Sequence, residues 1–222
     1  VGVEGGTAAR GDRMSEGMSV VRRIGWSKRS SFGAEFVEAR LGRDEMVARG
    51  VAVGSAPFPY RLDYEFETGA RFVAARLAIS VQADNFRGRL ELRRSTAGAW
   101  TETVENEGAA SVGLERALTD AGTLSDALDV DLALSPLFNS TPVLRHDLLR
   151  TAGPVDLIVA WVSVPDLAVH RSPQRYSLVR GLDGGGAVVR FESLAGDDFR
   201  EDITFDADGL VIDYPTIAER LR

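Results

Sequence analysis

The chain has 222 residues, with 26 Lys plus Arg against 33 Asp plus Glu, a formal net charge of −7, two histidines and no cysteine. That balance argues against nucleic acid or an anionic membrane surface as the main partner, and the missing thiols exclude disulfides, thiolate metal sites and cysteine nucleophiles. His146 and His170 are too few for a histidine-based metal site, which leaves only oxygen ligands for a cation; no cofactor is expected.

No run approaches the roughly 20 apolar residues of a membrane span. Val1 to Ser19 lacks the apolar stretch of a secretory signal, so the expectation is a soluble, cytoplasmic protein. Residues 1–18 are polar and glycine-rich and read as a disordered N-terminal extension, with Met14 or Met18 as candidate starts. Residues 19–222 read as a single domain.

From Ser19 the pattern is a succession of short strands. Val20, Val21, Ile24 and Trp26 suggest a first edge strand. In Glu35 to Leu41 the alternation puts Glu35 on the face of Val37, Ala39 and Leu41. Such a carboxylate either reaches solvent at the strand's end or points into a cavity. Met46 to Val53 forms another run. Beyond Pro57 and Pro59, Tyr60, Leu62, Tyr64 and Phe66 share one face while Arg61, Asp63 and Glu65 share the other. Val73 to Val81, Leu90 to Leu92 and Trp100 to Val104 extend an antiparallel meander. Gly108 to Ala127 breaks the period and reads as a surface insertion with a helical turn or two.

Leu128 to Leu149 resumes the alternation, with Leu128, Val130, Leu132 and Leu134 on one face against Asp129, Asp131, Ala133 and Ser135 on the other. Pro136 stops the ladder, because it has no N–H to donate. Pro142, behind Ser140 and Thr141, suits the first turn of a short helix. A strand therefore runs into a plug that mixes Leu137, Phe138 and Val143 with Asn139, Arg145 and His146. Val155 to Val164 looks buried on both faces, and Gln174 and Tyr176 share one face of the strand after it. Asp208-Gly209 signals a type I′ hairpin, and Ile217 with Leu221 suggests a short terminal helix. A dozen strands with so little helix must curl to cover their apolar face, and the plug is the natural filling.

Asp129 and Asp131 lie roughly 6 to 7 Å apart along one strand face. They suit a raised carboxyl pKa, an acid/base pair, a cation held by oxygen ligands, or a ligand or substrate role; equally, they are solvated or satisfied by Arg145 and backbone donors. Asn139 ties the turn into the plug, and Arg145 either pairs with one aspartate or binds an anionic head group. Gln174 and Tyr176, with Tyr60 and Tyr64, either line a cavity suited to an amphiphile or pack in an ordinary core. No G-x-S-x-G, Walker A or G-x-G-x-x-G pattern is present.

Taken in order, DVDLALSPLFNSTPVLR from Asp129, WVSVPDLAV from Trp161, QRY from Gln174 and DGLVIDYP from Asp208 resemble the glycolipid-binding family, formerly a domain of unknown function. Asp129, Asp131, Pro136, Asn139, Pro142 and Arg145 match the central pattern of that family; Leu137, Phe138, Thr141 and Leu144 depart from it. The resemblance implies a mainly β fold, a spiral β-roll in which a large curled antiparallel sheet wraps one short central helix, and a homodimer. The leading expectation is non-enzymatic binding of an amphiphile, a glycolipid above all. Apolar strand faces would take acyl chains, and Asp129, Asp131, Asn139, Arg145, Gln174 and Tyr176 would hold the head. The alternatives are a carboxylate-based hydrolase of a glycan or glycolipid, using Asp129 and Asp131 with Glu35, and a dimeric interaction module with a solid core.

Overall fold

The alternating stretches all become strands in a computed structural model that describes residues 19–108 and 124–222. The first seven are β1 (Val20–Lys28), β2 (Gly33–Leu41), β3 (Met46–Gly54), β4 (Tyr60–Thr68), β5 (Ala74–Ala83), β6 (Phe86–Arg94) and β7 (Trp100–Gly108). The others are β8 (Asp129–Leu132), β9 (Pro154–Val162), β10 (Val169–Gly181), β11 (Ala187–Ser193), β12 (Arg200–Phe205), β13 (Val211–Tyr214) and β14 (Ala218–Arg220). They form one 14-stranded sheet in the order β7-β6-β5-β4-β3-β2-β1-β14-β13-β12-β11-β10-β9-β8. Every pairing is antiparallel except β8 with β9, which is parallel.

The sheet curls because its apolar residues alternate onto one face and must leave water. Trp26, Val37, Met46, Phe66, Leu77 and Phe205 are buried on that concave face. The two ends of the sheet meet: Ala74 N–H donates to Leu128 C=O at 2.9 Å, and Trp100 Nε1–H donates to Ala127 C=O at 3.1 Å. These bonds satisfy groups at the overlap that an open edge would leave exposed.

The predicted plug is present. A 3₁₀ turn, Pro136–Asn139, leads into the helix α1 (Ser140–Arg145), and Leu137, Phe138 and Val143 are fully buried. The Phe138 ring packs 4.9 Å from Phe66 and 5.4 Å from Tyr64, centroid to centroid. Pro136 opens the turn, and Pro142 sits within the first turn of α1, where its missing N–H breaks no intrahelical bond. The large curled antiparallel sheet around one short helix is thus as expected.

Three local expectations are corrected. Val20 to Trp26 is an interior strand, because β14 returns to pair with it, Trp26 opposite Arg220; the edges are β7 and β8. The Ile217 to Leu221 stretch is accordingly part of that strand and its flanks, since the unpaired edge of β1 offers more bonds than a single helical turn would. At Asp208-Gly209 only Gly209 takes a positive φ, +75°, so the turn is not type I′. Asp206 Oδ1 shapes it instead, accepting from the N–H groups of Asp208 and Leu210 at 3.0 and 2.9 Å. The predicted extension over residues 1–18 and most of the insertion after Gly108 lie outside the described residues.

Candidate functional site

Strand β8 divides the interior of the roll into two levels. At the first, Asp129 faces α1 and is held by both Nη atoms of Arg145; Nη1 to Oδ1 is 2.6 Å, and Nη2 pairs with Oδ2. Thr141 Oγ1 donates to Asp129 Oδ1 at 3.1 Å. The two charged side chains are 2% and 5% exposed, so this fork-to-fork pair is a sealed clamp between strand and plug. Arg145 Nε also faces His146 Nε2 at 3.3 Å. Burial, reinforced by the Arg145 charge, holds the imidazole below its usual pKa.

At the second level the plug has not yet begun, and the space is hollow. Leu134, with φ of +65°, swings the chain off β8 into the plug and leaves a cavity of about 390 Å³ beside Asp131. Its deepest lining includes Asn139, Gln174, Ser135, Phe191 and Tyr214, all buried. Around these stand Leu134, Trp161, His170, Phe199 and Ile217, half-buried, and Arg171, Ala195 and Asp197 are exposed at the outside. Trp161 is opposite both Asp131 and His170 in register, and its ring lies 5.5 Å from the imidazole of His170.

A chain of hydrogen bonds lies behind the polar wall. Gln174 Nε2 donates to Asp131 Oδ2 at 2.8 Å, and the Tyr176 hydroxyl lies 2.9 Å from Asn139 Oδ1 and 3.3 Å from Gln174 Oε1. Burial pushes the Asp131 carboxyl up to about 6; the Gln174 bond opposes the rise and the Asp129 charge adds to it. Burial likewise raises the Tyr176 phenol well above its ordinary range, so it remains a neutral donor.

Glu35 points inward, as one of its two readings had it, but into packed protein. Its Oε1 accepts from Tyr64 at 2.7 Å and from Ser135 at 2.6 Å, and its Oε2 is buried without a partner. Burial raises its pKa, only partly offset by those two bonds. Tyr64 reaches it by lying flat across Gly50 on the neighbouring strand, where an added Cβ would sit 2.2 Å from the ring.

Asp131, Asn139 and Gln174 therefore line the cavity, while Asp129, Arg145 and Tyr176 do not. The apolar strand faces are filled by the plug rather than by space for acyl chains. Of the three carboxylates considered for glycoside chemistry, only Asp131 faces the cavity. Sequence reasoning missed Trp161, Phe199, Tyr214 and Ile217 as lining. Trp161 sits in an apolar run that reads as core, and the only signal was its register opposite an acidic strand. Among the described residues no cluster of three His, Cys, Asp or Glu could hold a metal ion, and no helix is long and apolar enough to cross a membrane.

A curled antiparallel sheet wrapped around a helical plug, with a cavity at one rim, defines a β-roll. The model of the family described as "Putative glycolipid-binding" matches residues 23–220, and the chain belongs to that family. The crystal structure of a DUF1089 family protein from Pseudomonas aeruginosa is similar over 84% of this chain and 92% of that one, with a TM-score of 0.64 and 24% identity, a likeness of fold. No curated protein matches.

Proposed function

We propose that the chain binds an amphiphile, a glycolipid above all, without chemical conversion, and takes it head first into the cavity beside Asp131. The observation that carries this reading is the gradient along the cavity wall. Hydrogen-bonding groups of Asn139 and Gln174 lie deep, the half-buried Asp131 carboxylate stands beside them, and Leu134, Trp161, Phe199 and Ile217 stand half-buried around this polar base. A polar head finds partners inside while the start of its tail covers apolar surface at the mouth.

The surroundings of the mouth support the same orientation. Strands β1, β9, β11 and β13 end at this rim, and Arg29 N–H, at the start of the β1–β2 turn, donates to Ile217 C=O at 2.9 Å. That turn carries Phe32, 84% exposed, and the β11–β12 turn carries Leu194, 41% exposed. Both are places for a tail that leaves the cavity.

Native mass spectrometry after incubation with lipid extracts and with octyl glucoside tests the reading. One retained ligand per chain is expected, and it should be lost in Ser172→Trp, which fills the lining from a half-buried strand position. No retained ligand, or equal retention by the blocked variant, overturns it. Light scattering on the same samples tests the dimer that the family resemblance implies.

A further inference from the structure

Two polar groups on the cavity wall have no protein partner among the described residues, and they are complementary. Asp131 uses Oδ2 to accept from Gln174, which leaves Oδ1 as a free acceptor. Asn139 uses Oδ1 to accept from Tyr176, which leaves its NH₂ group as a free donor. Both residues line the same cavity. A hydroxyl both donates and accepts, so neighbouring hydroxyls of a polyol satisfy an acceptor and a donor together.

The charges on the wall narrow the choice further. The lining carries two carboxylates, Asp131 and Asp197, against one guanidinium, Arg171, and that guanidinium is engaged by Asp126 at 2.7 Å. His170 is the remaining titratable group with a basic side chain on the wall, and Asp129, one pair along β8, is neutralised by Arg145. An anionic head entering here meets the half-buried Asp131 carboxylate with no free cation beside it among the described residues, an arrangement whose cost grows as water is excluded.

Resting on the reading that the cavity receives a head group, we infer that the site is specific for an uncharged polyol head. Asp131 Oδ1 and the Asn139 amide hold adjacent hydroxyls, and Asp131 rejects sulfated, phosphorylated or carboxylated heads. Asp131 is thus the specificity-determining residue.

Octyl glucoside and octyl sulfate share a tail and differ in the head, and sulfate keeps its charge across the pH range used. Calorimetric titration at about pH 7.5, below micelle formation, is expected to give at least about tenfold tighter binding of the glucoside, the scale of one like-charge contact. In Asp131→Asn, which retains an acceptor for Gln174, the ratio should fall to within about threefold, chiefly through a gain in octyl sulfate affinity. The unmodified protein provides the second measurement. Acidification to about pH 5 protonates Asp131 and should shrink the ratio, an effect that Asp131→Asn should largely lose. Equal or tighter sulfate binding at pH 7.5, or a ratio indifferent to both the substitution and pH, overturns the inference while the binding reading stands. Binding of neither probe overturns both.

Discussion

Asp129 and Asp131 occupy the same face of the same four-residue strand, two positions apart, yet the protein uses them in opposite ways. The first is gripped by Arg145 and Thr141 and holds the plug to the sheet; the second keeps one oxygen free and faces a cavity. What separates them is the path of the chain after β8. It leaves the strand at Leu134 and returns over Asp129 as α1, so the level it crosses is solid and the level it skips is hollow. Chemically identical side chains thus become an anchor and a recognition group through their neighbours alone.

The largest expected effect breaks the anchor. Arg145→Met leaves Asp129 buried and unpaired and should cost about 3 to 5 kcal/mol of stability, read from denaturant unfolding. Arg145→Met combined with Asp129→Leu should recover most of that loss, because the unpaired charge rather than the missing attraction is the greater penalty. If the double variant is as unstable as the single one, the pair has a role beyond mutual satisfaction. Ligand retention in the double variant sharpens the comparison, since the anchor and the cavity wall are separate surfaces.

The second effect concerns Asp131 and runs with pH. Its folded pKa, about 6, lies above the ordinary carboxyl value of 3.8. The folded state therefore holds the proton more tightly than the unfolded chain does. The cost of the buried charge is fully present above about pH 6 and is relieved as pH falls from there toward 4. Asp131→Asn should remove it, gaining about 2 to 3 kcal/mol at pH 8 and flattening the stability profile over that window. Glu35, raised in the same direction by burial, leaves a residual slope of the same sign. A profile unchanged by the substitution would place the titration elsewhere.

Much of this was legible in residues alone. Alternation in β4 placed Tyr60, Leu62, Tyr64 and Phe66 on the buried face. Alternation also places Gln174 and Tyr176 together, and Arg145 reads as a partner for Asp129 or Asp131, of which the structure selects Asp129. What could not be read was distance along the chain. The pairing of β14 with β1 and the convergence of Trp161, Phe199 and Ile217 on one cavity depend on how fourteen strands register. Half-buried aromatic residues also look the same in sequence whether they fill a core or line a space.

A third, smaller effect lies on the wall behind the cavity. Gly50→Ala drives a methyl group into the Tyr64 ring and should cost about 1 to 3 kcal/mol. Gly50→Ala with Tyr64→Leu should relieve the overlap. Gly181→Ala, where an added Cβ meets nothing within 4 Å, is the control and should leave stability near that of the native chain. Because Tyr64 and Ser135 share Glu35 Oε1, the Gly50 variant should also loosen Ser135 on the cavity wall, and slower unfolding is not expected in any of the three.

The smallest change tests whether the recognition level is held as deliberately as the anchor. Tyr176 does not line the cavity, but its hydroxyl lies between the two amides that do, 2.9 Å from Asn139 Oδ1 and 3.3 Å from Gln174 Oε1. Tyr176→Phe keeps the ring and its edge-on packing against Phe191, 5.3 Å between centroids. It removes only the donor, for a stability loss of about 1 kcal/mol. The functional loss should exceed that figure in proportion. Without the phenol, Asn139 is free to turn its amide, and a flipped amide presents an acceptor where a bound hydroxyl needs a donor. Glucoside affinity should therefore fall several-fold at a temperature where the variant is fully folded, whereas disturbing the anchor through Thr141→Val should lower stability with affinity preserved. Equal losses in both variants would mean that the two levels of the roll are one mechanical unit, and that the division between anchor and cavity made by Asp129 and Asp131 is only geometric.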